Sequence, residues 1–264
     1  MPETATSLDL PTIEIVDPCV DPRWASLAEG HGSVFSSPPW LPALRASYGF
    51  DLSAVMVSRG GEAIAGLPLA RLPRPDRFSV LPFSDFANPI DPTGLGWRQI
   101  SDYLEGEGLP VELRYLGEAT DIVGGGLEEQ GYALWHGIDV DPDEEAAFAS
   151  LASSARRAIR KARHAGVEIR AASDWAAVRS FYELHLGIRK RKYRLLPQPF
   201  EFFESLLDAF GDRLVVLGAW QGEKMIAGVL YIVWGDTLYY KFNASSLEVL
   251  DVRPNDLLMW EGTR

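Results

Sequence analysis

Residues 206–228 read LLDAFGDRLVVLGAWQGEKMIAG, and residues 44–66 read LRASYGFDLSAVMVSRGGEAIAG. Shifted by 162 positions, the two segments share seven identities in 23 aligned positions without a gap. Each segment ends an apolar helical pattern at a glycine, Gly49 or Gly211, and continues through an apolar run, a glycine turn and a second apolar run. Glycine commonly closes helices and forms tight hairpin turns. The repeat therefore predicts one helix–strand–turn–strand unit that is used twice.

A repeat spacing of 162 residues is too long for a solenoid and indicates two copies of one domain. The 264 residues agree with this, since one domain usually takes ~150 residues. We predict a first domain over 1–142 and a second over 143–264. The first copy continues past its helix at 97–105, whereas the second shows nothing after the helix that begins near Pro254. We therefore expect the second domain to be incomplete at its C-terminus.

The pattern of apolar residues alternates strands and helices through both halves of the chain. Strands are predicted at 12–16, 52–57, 63–69, 78–83, 111–116, 132–140, 167–171, in a hairpin over 214–233, and at 237–243. Helices are predicted at 22–28, 39–48, 97–105, 121–130, 143–165, 174–189 and 199–210, with a last one from Pro254. This order predicts an α/β (α+β) fold, a mixed and largely antiparallel sheet covered by helices.

Composition excludes several protein classes. Hydrophobic residues at 47% and charged residues at 23% are typical of a globular chain. The single cysteine, Cys19, excludes an intramolecular disulfide and a cysteine-cluster zinc site. Residues 1–10 lack the pattern of a secretory signal, and the longest apolar run, 225–234, is too short to span a membrane. We expect a cytoplasmic protein that binds no metal and no DNA.

The net charge of −12 hides a basic segment over 156–194. This segment carries +9, so the rest of the chain carries −21. Its first cluster, Arg156, Arg160 and Lys161, lies at helical i,i+4 and neighbouring positions, where like charges repel. An anionic ligand such as a diphosphate would offset that repulsion, and we predict an anion-binding site here. The alternative is a solvated helix face near a helix C-terminus, where basic residues are also favoured.

A second group of candidate residues lies in a basic loop and in the last strand. Two prolines stiffen the loop, and in strand 237–243 alternation puts Tyr239 with residues 241 and 243 and Tyr240 with Phe242. Alternatives are a plain basic surface loop and, for Tyr240, a core aromatic with a polar tip. The predicted substrate-binding residues are Arg189, Arg191, Lys192, Tyr193, Gln198, Tyr240, Lys241 and Asn243.

Three further patterns are less informative. Asp85, in the segment PFSDFANP (82–89), would accept a proton from an amine, although Asp, Asn and Pro are also ordinary turn residues. The glycines at 124–126 do not indicate a phosphate loop, because Glu128 and Glu129 would repel phosphate. The four histidines lack the spacing of metal ligands, and no catalytic base can be assigned from the sequence.

Five strings resemble the Fem-type (FemAB-like) peptidyltransferase-like family of the GNAT acyltransferase superfamily, whose members carry two GNAT-like domains in tandem. They are SARRAIRKARHAG (154–166), RKRKY (189–193), LLPQPF (195–200), YYKFNAS (239–245) and PNDLLMW (254–260). The resemblance is greatest to proteins of envelope and exopolysaccharide gene sets. It covers nearly the whole chain, but all five strings lie in the second half.

The resemblance implies an N-acyltransferase that acts on an amine of a cell-envelope precursor, from peptidoglycan or exopolysaccharide. The acyl donor would be aminoacyl-tRNA or acyl-CoA, with no tightly bound cofactor. Residues 246–254 lack the Arg/Gln-x-x-Gly-x-Gly/Ala loop of CoA-binding members, which disfavours simple acetyl-CoA use. The expected partners are a small-molecule or lipid-linked anionic substrate, possible tRNA as donor, and peripheral membrane contact. The alternatives are a non-catalytic anion-binding module and an inactive fragment.

Overall fold

The structure is a computed structural model that describes residues 10–118, 122 and 127–264. It divides into two compact units, Met1–Trp135 and His136–Arg264. Each unit is built on its own sheet, and every helix and strand below lies within one unit. None of the described helices is long and apolar enough to cross a membrane.

The first unit has five strands in the order β1-β2-β3-β4-β5, antiparallel except for the parallel β4–β5 pair. Its elements are β1 (Thr12–Val16), α1 (Pro22–His31), α2 (Trp40–Tyr48), β2 (Asp51–Arg59), β3 (Glu62–Pro73), β4 (Asp76–Ser79), α3 (Trp97–Glu107) and β5 (Val111–Glu112). Helix α1 begins at Asp21, whose carboxylate accepts a hydrogen bond from the backbone N–H of Arg23. The core of the first unit contains the buried aromatic rings of Trp24, Phe35 and Trp40.

The second unit has four antiparallel strands in the order β6-β7-β8-β9. Its elements are α4 (Glu144–Ser150), α5 (Ser153–His164), β6 (Glu168–Ala172), α6 (Trp175–Ile188), α7 (Phe200–Phe210), β7 (Leu214–Gln221), β8 (Lys224–Trp234), β9 (Thr237–Ser245) and α8 (Pro254–Thr263). Helices α5 and α8 pack together over one face of the sheet, where Ile159, Leu258 and Trp260 are buried. Helix α6 packs against β8 and β9 through Phe181 and His185.

The structure confirms the repeat, down to the register of its hairpins. In the first unit Val57 pairs with Ala65, and a β-bulge follows in which Ile64 is the extra residue. In the second unit Ala219 pairs with Ala227, and Ile226 is the extra residue of the corresponding bulge. A bulge bends and twists the strand that carries it. Both sheets therefore bend at positions that are 162 residues apart.

The last identity of the repeat, Gly66 and Gly228, marks a close approach of a helix to the sheet. A Cβ on Gly66 would lie 2.7 Å from Cζ3 of Trp24 on α1, and a Cβ on Gly228 would lie 3.0 Å from Cδ2 of Phe181 on α6. Neither glycine needs a positive φ angle, so the lack of a side chain is what matters here. In each copy one large aromatic ring of a helix therefore packs directly on the strand backbone at a glycine.

The helix predicted over 143–165 is wrong as a single element, because the chain forms α4 and α5 with a break at Leu151 and Ala152. Both residues of the break have extended ψ angles, of 147° and 143°. The Ser150 hydroxyl donates back to the carbonyl of Ala147, which ends α4. The break lets Leu151 pack against the core under α8.

Three predictions in the first half also need correction. Residues 132–140 form no strand: Tyr132 and Ile138 are largely exposed, and no described strand pairs with the segment. The strands predicted at 78–83 and 111–116 are shorter than expected; the positive φ angles of Leu81 and Phe83 break the first. Of the helix predicted over 121–130, residues 127–130 are irregular, and residues 121 and 123–126, with the three glycines, lie outside the described residues.

Candidate functional site

The predicted loop residues lie where α6 ends in a π-helical turn, Arg189–Tyr193. The turn closes when the N–H of Arg194, in the left-handed region at φ 52°, donates to the carbonyl of Arg189. Helix α6 itself begins at Asp174, whose carboxylate accepts from the N–H of Ala177. Turns of this kind are rare and are often found at functional sites. This one places four consecutive basic side chains at the end of α6.

The loop that follows is tied back to α6 by three side chains of that helix and turn. Arg189 donates from Nε and Nη2 to the carbonyl of Leu196, at 3.3 and 2.9 Å. The Tyr182 hydroxyl donates to the carbonyl of Gln198 at 3.3 Å. His185 Nε2 lies 2.8 Å from Oε1 of Gln198. Arg189 and Gln198, both predicted to bind substrate, therefore bond within the protein and fix the loop.

His185 is a buried residue in an aromatic cluster, at 4% exposure. Its ring centroid lies 5.2 Å from that of Phe203 and 5.8 Å from that of Phe242. Burial lowers the pKa of His185. The hydrogen bond with Gln198 opposes this decrease, and the positive charge of nearby Arg189 adds to it. Since Oε1 of Gln198 accepts, Nε2 donates, and Nδ1 has no hydrogen-bond partner among the described residues. A neutral histidine thus joins α6, the loop and strand β9.

The remaining basic residues of the turn point to no carboxylate. Arg191 and Lys192 form no ion pair among the described residues, and Lys192 Nζ lies 5.2 Å from the ring centroid of Tyr193. Tyr193 is half exposed and adds to the raised pKa of Tyr240 on β9. The turn extends from α6, the helix that packs against β9, and β9 is an edge strand of the sheet.

The face predicted for β9 residues is wrong, because a β-bulge interrupts the strand. Leu230 pairs with Phe242 but Tyr231 pairs with Tyr240, so residue 241 is extra. Residues directly opposite each other project to the same face. Tyr240, beside Tyr231, therefore lies on the α5–α8 face, whereas Phe242 contacts His185 of α6.

The same bulge also determines on which face of the sheet two other predicted residues of β9 lie. Asn243 pairs with Val229, whose side chain belongs to the core under α8, so Asn243 shares the face of Tyr240 and not that of Tyr239. Lys241 is the bulged residue, and its Nζ lies 5.4 Å from the ring centroid of Phe242. Strict alternation along a strand fails at such a point.

Tyr240 and Tyr231 lie side by side on the α5–α8 face and differ in exposure. The side chain of Tyr240 is 41% exposed and its ring centroid lies 5.7 Å from that of Tyr231. Burial, and then the neighbouring Tyr193, raise the pKa of Tyr240, so the hydroxyl stays protonated at neutral pH. Tyr231 is buried, and desolvation raises its pKa to about 12. Of the two, only Tyr240 is open to a ligand.

The first basic cluster lies elsewhere, in a groove of about 620 Å³ between α4, α5 and α8. Arg156 and Arg160 line it, whereas Lys161 does not. The α5 helix positions the two arginines one turn apart on the same side. We call this groove the α5 groove. Its lining residues are Glu144, Glu145, Phe148, Ala149, Arg156, Arg160, Arg163 and Trp260.

The sequence interpretation missed His185, and it treated Asp85 as one candidate for a proton acceptor. His185 repeats at helical spacing with Ala177, Val178, Phe181 and Ile188 on the buried side of α6, which is a detectable signal for a core histidine. The segment around Asp85 is held by a long-range contact: Asn88 accepts from the N–H and donates to the carbonyl of Leu116.

Comparisons with known proteins agree with this architecture. The family model of a GNAT acetyltransferase domain matches residues 149–264, which contain α5 to α8 and all four strands of the second sheet. A crystal structure of FemX is similar over 95% of this chain and 85% of its own, with a TM-score of 0.64 and 14% sequence identity. A comparison with curated proteins gave no significant match. Residues 149–264 are therefore similar to the GNAT acetyltransferase domain, and the chain has the fold of FemX, as its resemblance to the FemAB-like GNAT proteins predicted.

Proposed function

We propose that this protein transfers an acyl group to an amine, with the transfer site formed by the π-helical turn, the loop after it and strand β9. The observation that carries the proposal is that α6, whose C-terminal turn contains Tyr193, packs against the edge strand β9, and that His185 joins Gln198 of the loop to this strand. Residues 149–264, which contain these elements, match a GNAT domain. The loop is held by three hydrogen-bonding side chains, so it is ordered before a ligand binds. An ordered site lowers the entropy cost of positioning two substrates.

The chemistry needs no covalent enzyme intermediate. The substrate amine attacks the carbonyl of an activated ester or thioester, a C–N bond forms, and the bond from carbon to the leaving oxygen or sulfur breaks. The amine loses its proton to solvent, and the leaving group takes one. Tyr240, protonated at neutral pH, is the donor that we assign to the leaving group. Hydrogen bonds to the developing oxyanion would supply much of the remaining rate.

The substrate that fits the turn is anionic. Arg191 and Lys192 extend from it without an ion pair among the described residues, and each would bind a phosphate or carboxylate group. This agrees with an acceptor amine on a charged precursor of the cell envelope or of exopolysaccharide. It also agrees with either donor, aminoacyl-tRNA or acyl-CoA, because both carry phosphates. A module that binds such an anion without turnover is the competing function.

A donor and acceptor survey tests the proposal. Purified protein is incubated with labelled aminoacyl-tRNA or acetyl-CoA and with a nucleotide-linked peptidoglycan precursor or an amino sugar, and amide formation is measured by mass spectrometry. We expect turnover with one donor, and loss of at least tenfold in kcat/KM in an Arg191→Ala/Lys192→Ala variant. The matched control is Arg157→Ala/Lys161→Ala, which removes the same charge from α5. Saturable binding without amide formation would support the binding module instead.

A further inference from the structure

The α5 groove combines unpaired positive charge with an aromatic floor. Arg156 and Arg160 have no carboxylate partner among the described residues, whereas Arg163 is paired with Glu261 at 2.9 Å. Arg156 donates to the carbonyl of Ala149, and the Arg160 guanidinium lies 5.7 Å from the ring centroid of Phe148. Each guanidinium has five N–H donors, so most of them remain available to a ligand.

Neither of these two arginines forms an ion pair among the described residues, although Glu144 and Glu145 line the same groove. Arg264 bonds Glu144 at 3.1 Å and Glu261 at 3.3 Å. Like charges at i,i+4 destabilise a helix. A ligand that carries negative charge into the groove would therefore gain Coulomb energy from both arginines and remove this cost.

A second, independent feature of the groove also lacks a partner. Trp260 lines it, is 5% exposed, and has an indole Nε1 with no acceptor among the described residues. A buried N–H without an acceptor is costly, on the order of 1–3 kcal/mol. The ring of Trp260 also packs edge to face on Phe148, with centroids 5.0 Å apart. Phe148 and Trp260 thus give the groove an apolar wall, behind which the indole N–H lies buried.

We propose that the α5 groove binds the diphosphate group of a nucleotide-sized ligand. Side chains at i,i+4 lie about 5–6 Å apart at their Cβ atoms, so each arginine fork can hold one of two linked phosphates. Phe148 and Trp260 then contact the apolar part of the ligand. Glu145 also lines the groove, and its negative charge weakens the binding of an anion there.

This site is separate from the residues that we assign to transfer, and its test requires no turnover. Equilibrium binding is measured by calorimetry for orthophosphate, pyrophosphate, ADP and farnesyl diphosphate in magnesium-free buffer. We expect pyrophosphate to bind about tenfold tighter than orthophosphate, because only pyrophosphate reaches both forks. A comparison of ADP with farnesyl diphosphate then shows whether the groove prefers the diphosphate of a nucleotide or that of an isoprenoid.

Matched variants of α5 make the result specific. Arg156→Ala/Arg160→Ala is expected to weaken pyrophosphate binding by roughly tenfold or more, and Arg157→Ala/Lys161→Ala by less than about threefold. Arg160→Lys keeps the charge and the fold but loses the fork, and is expected to weaken binding as well. Glu145→Gln is expected to strengthen it. Equal weakening by both double variants, or no saturable binding of pyrophosphate to the parent protein, would overturn the proposal.

Discussion

His185 Nε2 lies 2.8 Å from Oε1 of Gln198, and this bond joins the buried side of helix α6 to the loop that precedes α7. The histidine is 4% exposed and its ring contacts Phe242 of strand β9. One side chain therefore links the three elements that form the proposed transfer site. The bond therefore ties the loop to the sheet through the buried side of α6.

The first prediction concerns pH. Burial lowers the pKa of His185 below its ordinary value of 6.5, so the unfolded chain binds more protons than the folded one in this range. The free energy of unfolding should therefore decrease as the pH is lowered from 6.5 toward the pKa of His185 in the folded protein. Above pH 6.5 His185 should cause no such loss of stability. Urea unfolding followed between pH 8 and pH 5 measures this. A His185→Gln variant should remove part of that slope; an unchanged slope contradicts the assignment.

The second prediction concerns Gln198. Its replacement, Gln198→Ala, leaves His185 without a partner in a buried cluster, and we expect a loss of roughly 1–3 kcal/mol in the free energy of unfolding. Gln221→Ala is the matched control, because Gln221 donates only to an exposed carbonyl, that of Ala165. Thermal and urea unfolding of both variants check this. Equal stability of the two variants would show that the buried bond does not hold the loop.

The third prediction tests the close approach of helix and sheet in both copies. A Cβ at Gly66 meets Trp24 and the carbonyl of Val55, at 2.7 and 3.2 Å, so Gly66→Ala should cost about 1–3 kcal/mol. Gly228→Ala should cost less, since its contact with Phe181 is 3.0 Å.

The control for these two variants is Gly187→Ala in helix α6. No atom beyond the helix backbone lies within 4 Å of that Cβ, so the change should raise stability by about 0.5–1 kcal/mol through helix propensity. Calorimetric unfolding of the three proteins gives the order. If Gly66→Ala leaves the free energy of unfolding unchanged, Trp24 of α1 does not pack directly on the backbone of residue 66.

The fourth prediction separates the basic residues of the π-helical turn. Arg189 bonds the loop carbonyl of Leu196, so Arg189→Ala should lower stability as well as activity. Arg191 and Lys192 form no ion pair among the described residues, and the one contact of Lys192, with the ring of Tyr193, is local, so Arg191→Ala/Lys192→Ala should raise KM for the anionic substrate and leave the free energy of unfolding unchanged. Steady-state kinetics beside thermal unfolding distinguish these effects. Lower stability of the double variant would contradict a ligand-binding role.

Much of the fold followed from the sequence because its signals are local. The hairpins over 51–73 and 214–234 carry glycine turns and apolar strands, and the matching bulges at Ile64 and Ile226 show that the repeat is structural. The strand predicted over 132–140 was wrong, since alternation shows that a segment suits a sheet but not that a partner strand is present.

The candidate site was predictable only in outline. The loop over 189–199 and strand β9 were each recognised from their residue types, but the bulge at residue 241 changes which residues share a face with Tyr240, and no residue type in the strand indicates a bulge. The bond between Gln198 and His185 could not be predicted, because the two residues lie 13 positions apart and meet only in the folded chain. Side-chain pairs across elements are set by tertiary packing, which periodicity does not report.

The most direct measurement is kcat for acyl transfer by Tyr240→Phe and by Tyr239→Phe. The two tyrosines are adjacent in sequence but lie on opposite faces of β9, so the variants are matched in chemistry and differ in position. If Tyr240 protonates the leaving group, its variant should lose roughly 10²-fold or more in kcat with little change in KM, and the Tyr239 variant should keep its activity. Equal activity of both variants, or no transfer by the parent protein with any donor, would contradict the account.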